Sequence, residues 1–197
     1  MLNSQPRRAG SAELISQPSR AHSAGLISAP EARLLILVSV LIASVVIMSA
    51  WIHPSPLVHS IALFGHLASL VVGFGSVLGV DYYGFLWFLR RISLQTMLRQ
   101  ADRMGPLIWL GLGGLIATGA LMQPQLRSPL ILIKMACVVA VGMTGVLALS
   151  TKRAMVRAMP SVGRPLLIRG LVLAAASQAL WWSAVVIGFL TARGLVT

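Results

Sequence analysis

Five long apolar stretches divide this sequence, and its cationic residues lie almost entirely in alternate connections between them. Only Arg127 and Arg193 lie in the connections on the other side. Thirteen Lys and Arg residues precede the first stretch, lie between the second and third, or lie between the fourth and fifth: Arg7, Arg8, Arg20, Arg33, Arg90, Arg91, Arg99, Arg103, Lys152, Arg153, Arg157, Arg164 and Arg169. Because Lys and Arg near span ends are retained on the cytoplasmic side during insertion, this asymmetry predicts that the N-terminus is inside and the C-terminus outside.

The apolar stretches are long enough to form α-helices that cross the hydrocarbon core of a bilayer. We place these spans at about residues 34–51, 57–80, 106–122, 129–150 and 170–191. A mean hydropathy of +0.86, with only 10% charged residues, lies outside the usual composition of soluble domains. The sequence therefore predicts an all-α, polytopic integral membrane helical bundle of five transmembrane helices over residues 33–197, in the cell inner (plasma) membrane.

Residues 85–104, between the second and third predicted spans, mix aromatic and aliphatic side chains with arginines. Two interpretations stay open for this segment: an interfacial amphipathic helix, or a helical extension of the second span. Pro106 follows it, and we expect this proline in the first turn of the third span, where its missing N–H costs no hydrogen bond.

The first 32 residues have a different composition from the rest of the chain. Residues 4–15 recur as residues 16–27 and match at nine of twelve positions, which indicates a tandem duplication. Segments rich in Ser, Ala, Arg, Pro and Gln bury too little apolar surface to order themselves. We therefore expect a disordered, basic tail on the inner side.

The net charge of +12 would favour nucleic acid if it lay on one soluble face. Here it is spread over connections on one side of the membrane, so we expect anionic headgroups of the inner leaflet as the partner and no nucleic acid.

Small residues spaced four positions apart, such as Ser69 with Gly73, Gly75 with Gly79, and Gly114 with Thr118, predict close helix packing. The same spacing could serve a homo-oligomer.

We look for function in polar side chains within the predicted spans, because placing a polar group in the hydrocarbon core costs free energy. His59 and His66 lie in the second span and Lys134 in the fourth, and the predicted topology places all three in the outer half of the bundle. Gln178 in the fifth span is a further polar residue, whereas Asp81 is expected at the inner interface.

Lys134 has no internal counter-ion in the predicted topology. The four acidic residues, Glu13, Glu31, Asp81 and Asp102, all fall on the inner side. Three interpretations remain: the lysine reaches the outer headgroups, it is buried without charge, or it binds an anionic group of a lipid or ligand.

The histidines raise the question of a metal or a haem. His59 and His66 are seven residues apart, about 10 Å along a helix, which is too far for both to bind one metal ion. Each would need a partner elsewhere, and His53 and Met122 are candidate ligands at a similar depth.

Three segments resemble small bacterial membrane proteins related to the copper-resistance CopD-like domain and to the membrane-bound, haem-associated protoporphyrinogen oxidase family. They are His59 to Gly75, Pro106-Leu-Ile-Trp109 leading to Thr118-Gly119, and Leu130-Ile-Leu-Ile-Lys134-Met-Ala. In those groups a histidine early in a glycine-containing span, a span ending in Thr-Gly, and a lysine early in the next span occur in that order. The resemblance implies a similar helical scaffold and pocket. Leu132 stands where the porphyrin enzyme has a histidine two residues before its lysine, which argues against the enzyme's activity here.

Two hypotheses of function follow. The first is a membrane protein that binds haem, porphyrin or copper in an outer-half pocket through His66, His59 and Lys134. The second is a non-enzymatic structural or assembly protein, or a small transporter subunit, with no cofactor. We find no nucleotide motif, nucleophile triad or clustered set of metal ligands in the sequence, which favours a protein that is not an enzyme.

Overall fold

The computed structural model describes residues 29–49, 54–122 and 128–193. These residues form five α-helices and, within those ranges, no β-strand: α1 (Ala29–Ser49), α2 (Pro56–Phe88), α3 (Leu94–Leu121), α4 (Pro129–Arg157) and α5 (Arg164–Ala192). The all-α fold class predicted from the sequence is confirmed. The duplicated tail lies outside the described residues, apart from its last four residues, which belong to α1.

Proline and serine determine where three of the helices begin. Pro56 and Pro129 each lie in the first turn, where a missing N–H is tolerated. The side chain of Ser55 accepts a hydrogen bond from the backbone N–H of Val58, and the side chain of Ser93 caps α3 in the same way through Thr96. These local signals determine at which residue α2, α3 and α4 begin.

Four helices, α2 to α5, are long and apolar enough to cross a membrane, and α1 contains a shorter apolar stretch at Leu35–Val45. Many large apolar side chains of these helices point away from the protein interior, including Val71 with 73% of its surface exposed and Leu171 with 71%. Apolar surface on this scale requires contact with lipid rather than water. The prediction of a membrane helical bundle is therefore confirmed.

Residues 85–104 are divided between two helices, so the interpretation as an extension of the second span holds only as far as Phe88. α2 extends through Phe88, a turn follows, and α3 already begins at Leu94. The expectation that Pro106 lies in the first turn of the third span is wrong, because this residue is inside α3. An interior proline removes one backbone hydrogen bond and crowds the preceding turn, so the cap at Ser93 and the packing of α3 on α2 outweigh that cost here.

The helices pack as two antiparallel hairpins. α2 packs most extensively against α3, and α4 against α5, whereas α3 and α4 make few contacts. α1 lies against α4 and α3, with Val38 and Ile42 next to Gly142. The hairpins meet at a central core formed by six buried residues: Phe74, Val77, Leu112, Leu115, Val141 and Trp181. Phe74 stacks on Trp181, with ring centroids 5.4 Å apart.

The small-residue spacings serve packing at some positions and not at others. A Cβ on Gly73 would lie 3.1 Å from the Cα of Gly111, and a Cβ on Gly114 would overlap the side chain of Ser69. Gly75 and Gly79 face open space among the described residues. The close approach of α2 and α3 therefore depends on Ser69, Gly73, Gly111 and Gly114, as expected where no hydrophobic force draws helices together in lipid.

Candidate functional site

His66 lies between α2 and α3, in the half of the bundle where α2 and α4 begin and α3 and α5 end. We call this end the outer end, following the orientation predicted from charge. His66 is partly buried, and its Nδ1 is 3.0 Å from the hydroxyl oxygen of Thr118 on α3. Gly119 provides the space beside the ring, because a Cβ on that residue would lie 3.4 Å from Cε1 of His66.

The hydrogen bonds of Thr118 determine which nitrogen of His66 carries the proton. The Thr118 hydroxyl donates to the carbonyl oxygen of Gly114 at 2.5 Å, one turn earlier in α3. Its oxygen is therefore left to accept, and Nδ1–H of His66 is the donor. In this tautomer of the neutral ring, the lone pair is on Nε2.

Lys134 lies on α4, at the outer end and on the side that faces α5. Its Nζ lies 3.4 Å from the position that a Cβ on Gly188 would take, so the absence of a side chain there makes room for the ammonium group. Lys134 is partly buried. Among the described residues, no carboxylate lies within ion-pair distance of it.

Helical rise places these groups at one level of the bundle. His66 is eight residues from Phe74, and Lys134 is seven from Val141, which puts each about 10–12 Å from the core toward the outer end. The structure thus places two of the three predicted binding residues, His66 and Lys134, on the same side of the aromatic core.

His59, the third predicted binding residue, is exposed on the surface of α2 near the start of that helix. It is two turns from His66, so the two rings cannot share one metal ion. Met122, a candidate metal ligand, caps the C-terminal end of α3 one turn beyond Thr118. His53 lies outside the described residues.

A metal site made only of protein side chains needs several ligands close together. Within residues 29–49, 54–122 and 128–193, no group of three or more His, Cys, Asp or Glu residues could hold a metal ion. Cys137, buried in α4, is a free thiol.

Two polar contacts on the other side of the aromatic core were not predicted from the sequence. Asp81, expected to be an ordinary interfacial residue, is partly buried, and one of its carboxylate oxygens accepts a hydrogen bond from the Gln178 side chain on α5. Lys152 of α4 forms an ion pair with Asp102 of α3. Both contacts join different helices near the end at which α2 and α4 finish.

Comparison of this chain with protein-family models, with curated proteins and with solved structures finds no match.

Proposed function

We propose that this chain is a five-span plasma-membrane protein, with its N-terminus inside, that binds haem or a related porphyrin in the outer half of its helical bundle. The observation that carries the proposal is the state of His66. Its Nδ1 contacts the Thr118 hydroxyl, which is itself bonded to the Gly114 carbonyl, so Nδ1–H can donate to Thr118 and leave the Nε2 lone pair for a ligand. Histidines that bind metals commonly donate their other ring N–H to a fixed acceptor, which sets the orientation and basicity of the ring.

The number of available ligands favours a porphyrin over a copper ion. A porphyrin supplies four nitrogen ligands to its own iron, so one protein histidine is a sufficient anchor. A copper site built from imidazole, thiol or carboxylate ligands needs several of them together, and the described residues contain no group of three or more His, Cys, Asp or Glu that could hold a metal ion.

Lys134 supports the proposal through its charge. An ammonium group in an apolar region is costly unless an anion accompanies it. The carboxylates of Asp81 and Asp102 are engaged elsewhere, by Gln178 and Lys152. The propionate groups of a haem are carboxylates, and one of them would provide the missing negative charge at the level of His66.

The proposed role is binding rather than catalysis. Leu132 occupies the position at which the similar porphyrin enzymes have a second histidine, and its side chain is exposed at the surface of α4. The chain would then hold, sense or deliver the porphyrin.

The alternative is a structural, assembly or transporter-subunit role without a cofactor. The hydrogen bond from His66 to Thr118 supports this alternative, because it joins α2 to α3 and satisfies one ring nitrogen without any ligand. In that case His66 contributes to stability alone.

The experiment that separates these functions is an optical titration of the detergent-purified full chain with haem. We expect a Soret band that shifts on binding, is lost in His66→Ala and is retained in the matched control His59→Ala. Lys134→Met should weaken binding by about tenfold, since a hydrogen bond to a charged group contributes about 1.5–3 kcal/mol. If the wild-type chain gives no haem spectrum, or if the spectrum is unchanged by His66→Ala, the haem-binding proposal is wrong and the structural role remains.

A further inference from the structure

An open hollow of about 380 Å³ lies at the inner end of the bundle, between the beginning of α3 and the end of α4. It is lined by Asp102 of α3 and by five residues of α4: Leu149, Lys152, Arg153, Val156 and Arg157. α3 and α4 make few contacts with each other, so the hollow lies where the two hairpins are least closely packed.

The charges in this hollow are not balanced among the described residues. Asp102 is paired with Lys152, which leaves Arg153 and Arg157 without a carboxylate within ion-pair distance in this part of the chain. The two arginines are four residues apart on α4, so they lie on one face of the helix with their Cβ atoms about 6 Å apart. Both are exposed. Two guanidinium groups at this spacing can hold one phosphate group through several charge-assisted hydrogen bonds.

The apolar part of the lining indicates what kind of phosphate fits. Leu149 and Val156 flank the arginines, and Val156 has 52% of its surface exposed although it is a large apolar residue. A free phosphate ion gains no favourable contact from this apolar surface, whereas a phospholipid carries acyl chains as well as a phosphate. The lining of the hollow therefore has a cationic part and an apolar part.

We propose that this hollow is a binding site for one anionic phospholipid, whose phosphate is held by Arg153 and Arg157 and whose acyl chain lies against Leu149 and Val156. The ion pair between Lys152 and Asp102 forms the floor of the site and limits its affinity, because the Asp102 carboxylate repels the phosphate. Basic pockets between helices on the cytoplasmic side are typical places for anionic lipid headgroups. This site is separate from the outer-half porphyrin site and does not depend on it.

The test is a lipid titration of the detergent-purified full chain, followed by native mass spectrometry. We expect phosphatidylglycerol to remain bound with an apparent Kd far below that of phosphatidylcholine. The double substitution Arg153→Gln and Arg157→Gln should weaken phosphatidylglycerol binding by roughly thirtyfold, from two charges near the headgroup. The matched control, Arg164→Gln with Arg169→Gln, removes the same charge from the same side of the bundle outside the hollow, and should change binding by less than about threefold.

A third variant reverses the direction of the effect. Asp102→Asn removes the repelling carboxylate and frees Lys152, so phosphatidylglycerol should bind about fivefold more tightly. Equal losses in both double variants would show general electrostatic attraction and overturn the site. Weaker or unchanged binding in Asp102→Asn would contradict it as well. Inorganic phosphate that displaces the lipid at low concentration would show an anion site without lipid specificity, and would also overturn the proposal.

Discussion

Gly73 of α2 and Gly111 of α3 meet backbone to backbone, so that a Cβ on Gly73 would lie 3.1 Å from the Cα of Gly111 and 3.2 Å from its carbonyl carbon. A Cβ on Gly111 would overlap the backbone of Gly73 and lie 2.8 Å from the carbonyl oxygen of Ser69. Because backbone atoms cannot move aside as a flexible side chain can, this contact fixes the distance between the two helices.

Gly111→Ala should therefore destabilise the protein. Forcing an extra methyl group into a packed contact typically costs about 1–3 kcal/mol, and we expect a loss of this size in the free energy of unfolding. Thermal unfolding in detergent measures it. Gly113→Ala is the matched control, because a Cβ there meets no atom within 4 Å among the described residues. Equal effects of the two substitutions would show that helix propensity, and not the contact, decides the result.

Thr118→Val tests the hydrogen bond that orients His66. The substitution keeps the shape of the side chain but removes the acceptor for Nδ1–H. Loss of such a supporting contact typically lowers metal affinity by about 10–100-fold, and we expect a change of that size in haem binding. Thr144→Val is the control, since the one partner of the Thr144 hydroxyl among the described residues is the carbonyl of Val141 in its own helix. Haem affinity unchanged in Thr118→Val would remove the argument for the tautomer of His66.

Gln178→Leu tests the contact between α2 and α5. Without Gln178 the partly buried Asp81 loses its side-chain donor, and an unsatisfied group of this kind typically costs about 1–3 kcal/mol. We expect a loss of that order in the free energy of unfolding. Asp81→Asn keeps an acceptor oxygen for Gln178 and should cost clearly less. A larger loss in Asp81→Asn than in Gln178→Leu would show that the carboxylate charge matters more than the hydrogen bond.

Reporter fusions test the proposed orientation. A reporter active only outside the cytoplasm should be active after Thr197 and silent when inserted in the loop between Pro160 and Gly163, which connects α4 to α5. The thirteen cationic residues on one side are the reason for this expectation. The opposite pattern would invert the bundle and exchange its outer and inner ends.

Deletion of residues 2–28 tests the role of the duplicated tail. All five helices begin at or after Ala29, so each of them remains intact in the shortened chain. We expect unchanged membrane insertion and a melting temperature in detergent close to that of the full chain. A marked drop in melting temperature would show that the tail contributes contacts to the folded protein.

The sequence predicts the helical membrane fold because long apolar runs carry that information locally. Helix starts at Pro56 and Pro129 are likewise local, since serine and proline lie side by side in the chain. The turn before α3 was not predicted, because residues 89–93 contain neither glycine nor proline. It depends on Arg90 in the left-handed region, with a φ of 59°, which few non-glycine residues adopt.

The candidate site was predicted only as single residues. His66 and Lys134 are recognisable because they are polar within apolar stretches. Their partners are not, since Thr118 is 52 residues from His66 and Asp81 is 97 residues from Gln178. Side-chain periodicity shows which residues share a face of one helix, but it does not say which face of another helix they meet. Only the packing of α2 on α3 and of α5 on α2 brings these pairs together.

The division of the bundle into two hairpins affects the order in which the protein can assemble. The glycine contact between α2 and α3 forms between neighbours in the chain, joined by a turn of five residues, so this pair can close as soon as both helices are in the bilayer. α4 and α5 form a second such pair with their own contacts. The Phe74–Trp181 stack and the Asp81–Gln178 hydrogen bond join α2 of the first hairpin to α5 of the second, so they form only when the two hairpins meet. Gly73 directly precedes Phe74 in α2, and Gly111 directly precedes Leu112 of the same buried core, so substitutions at the glycine contact and at the aromatic stack should have coupled effects on stability that do not simply add.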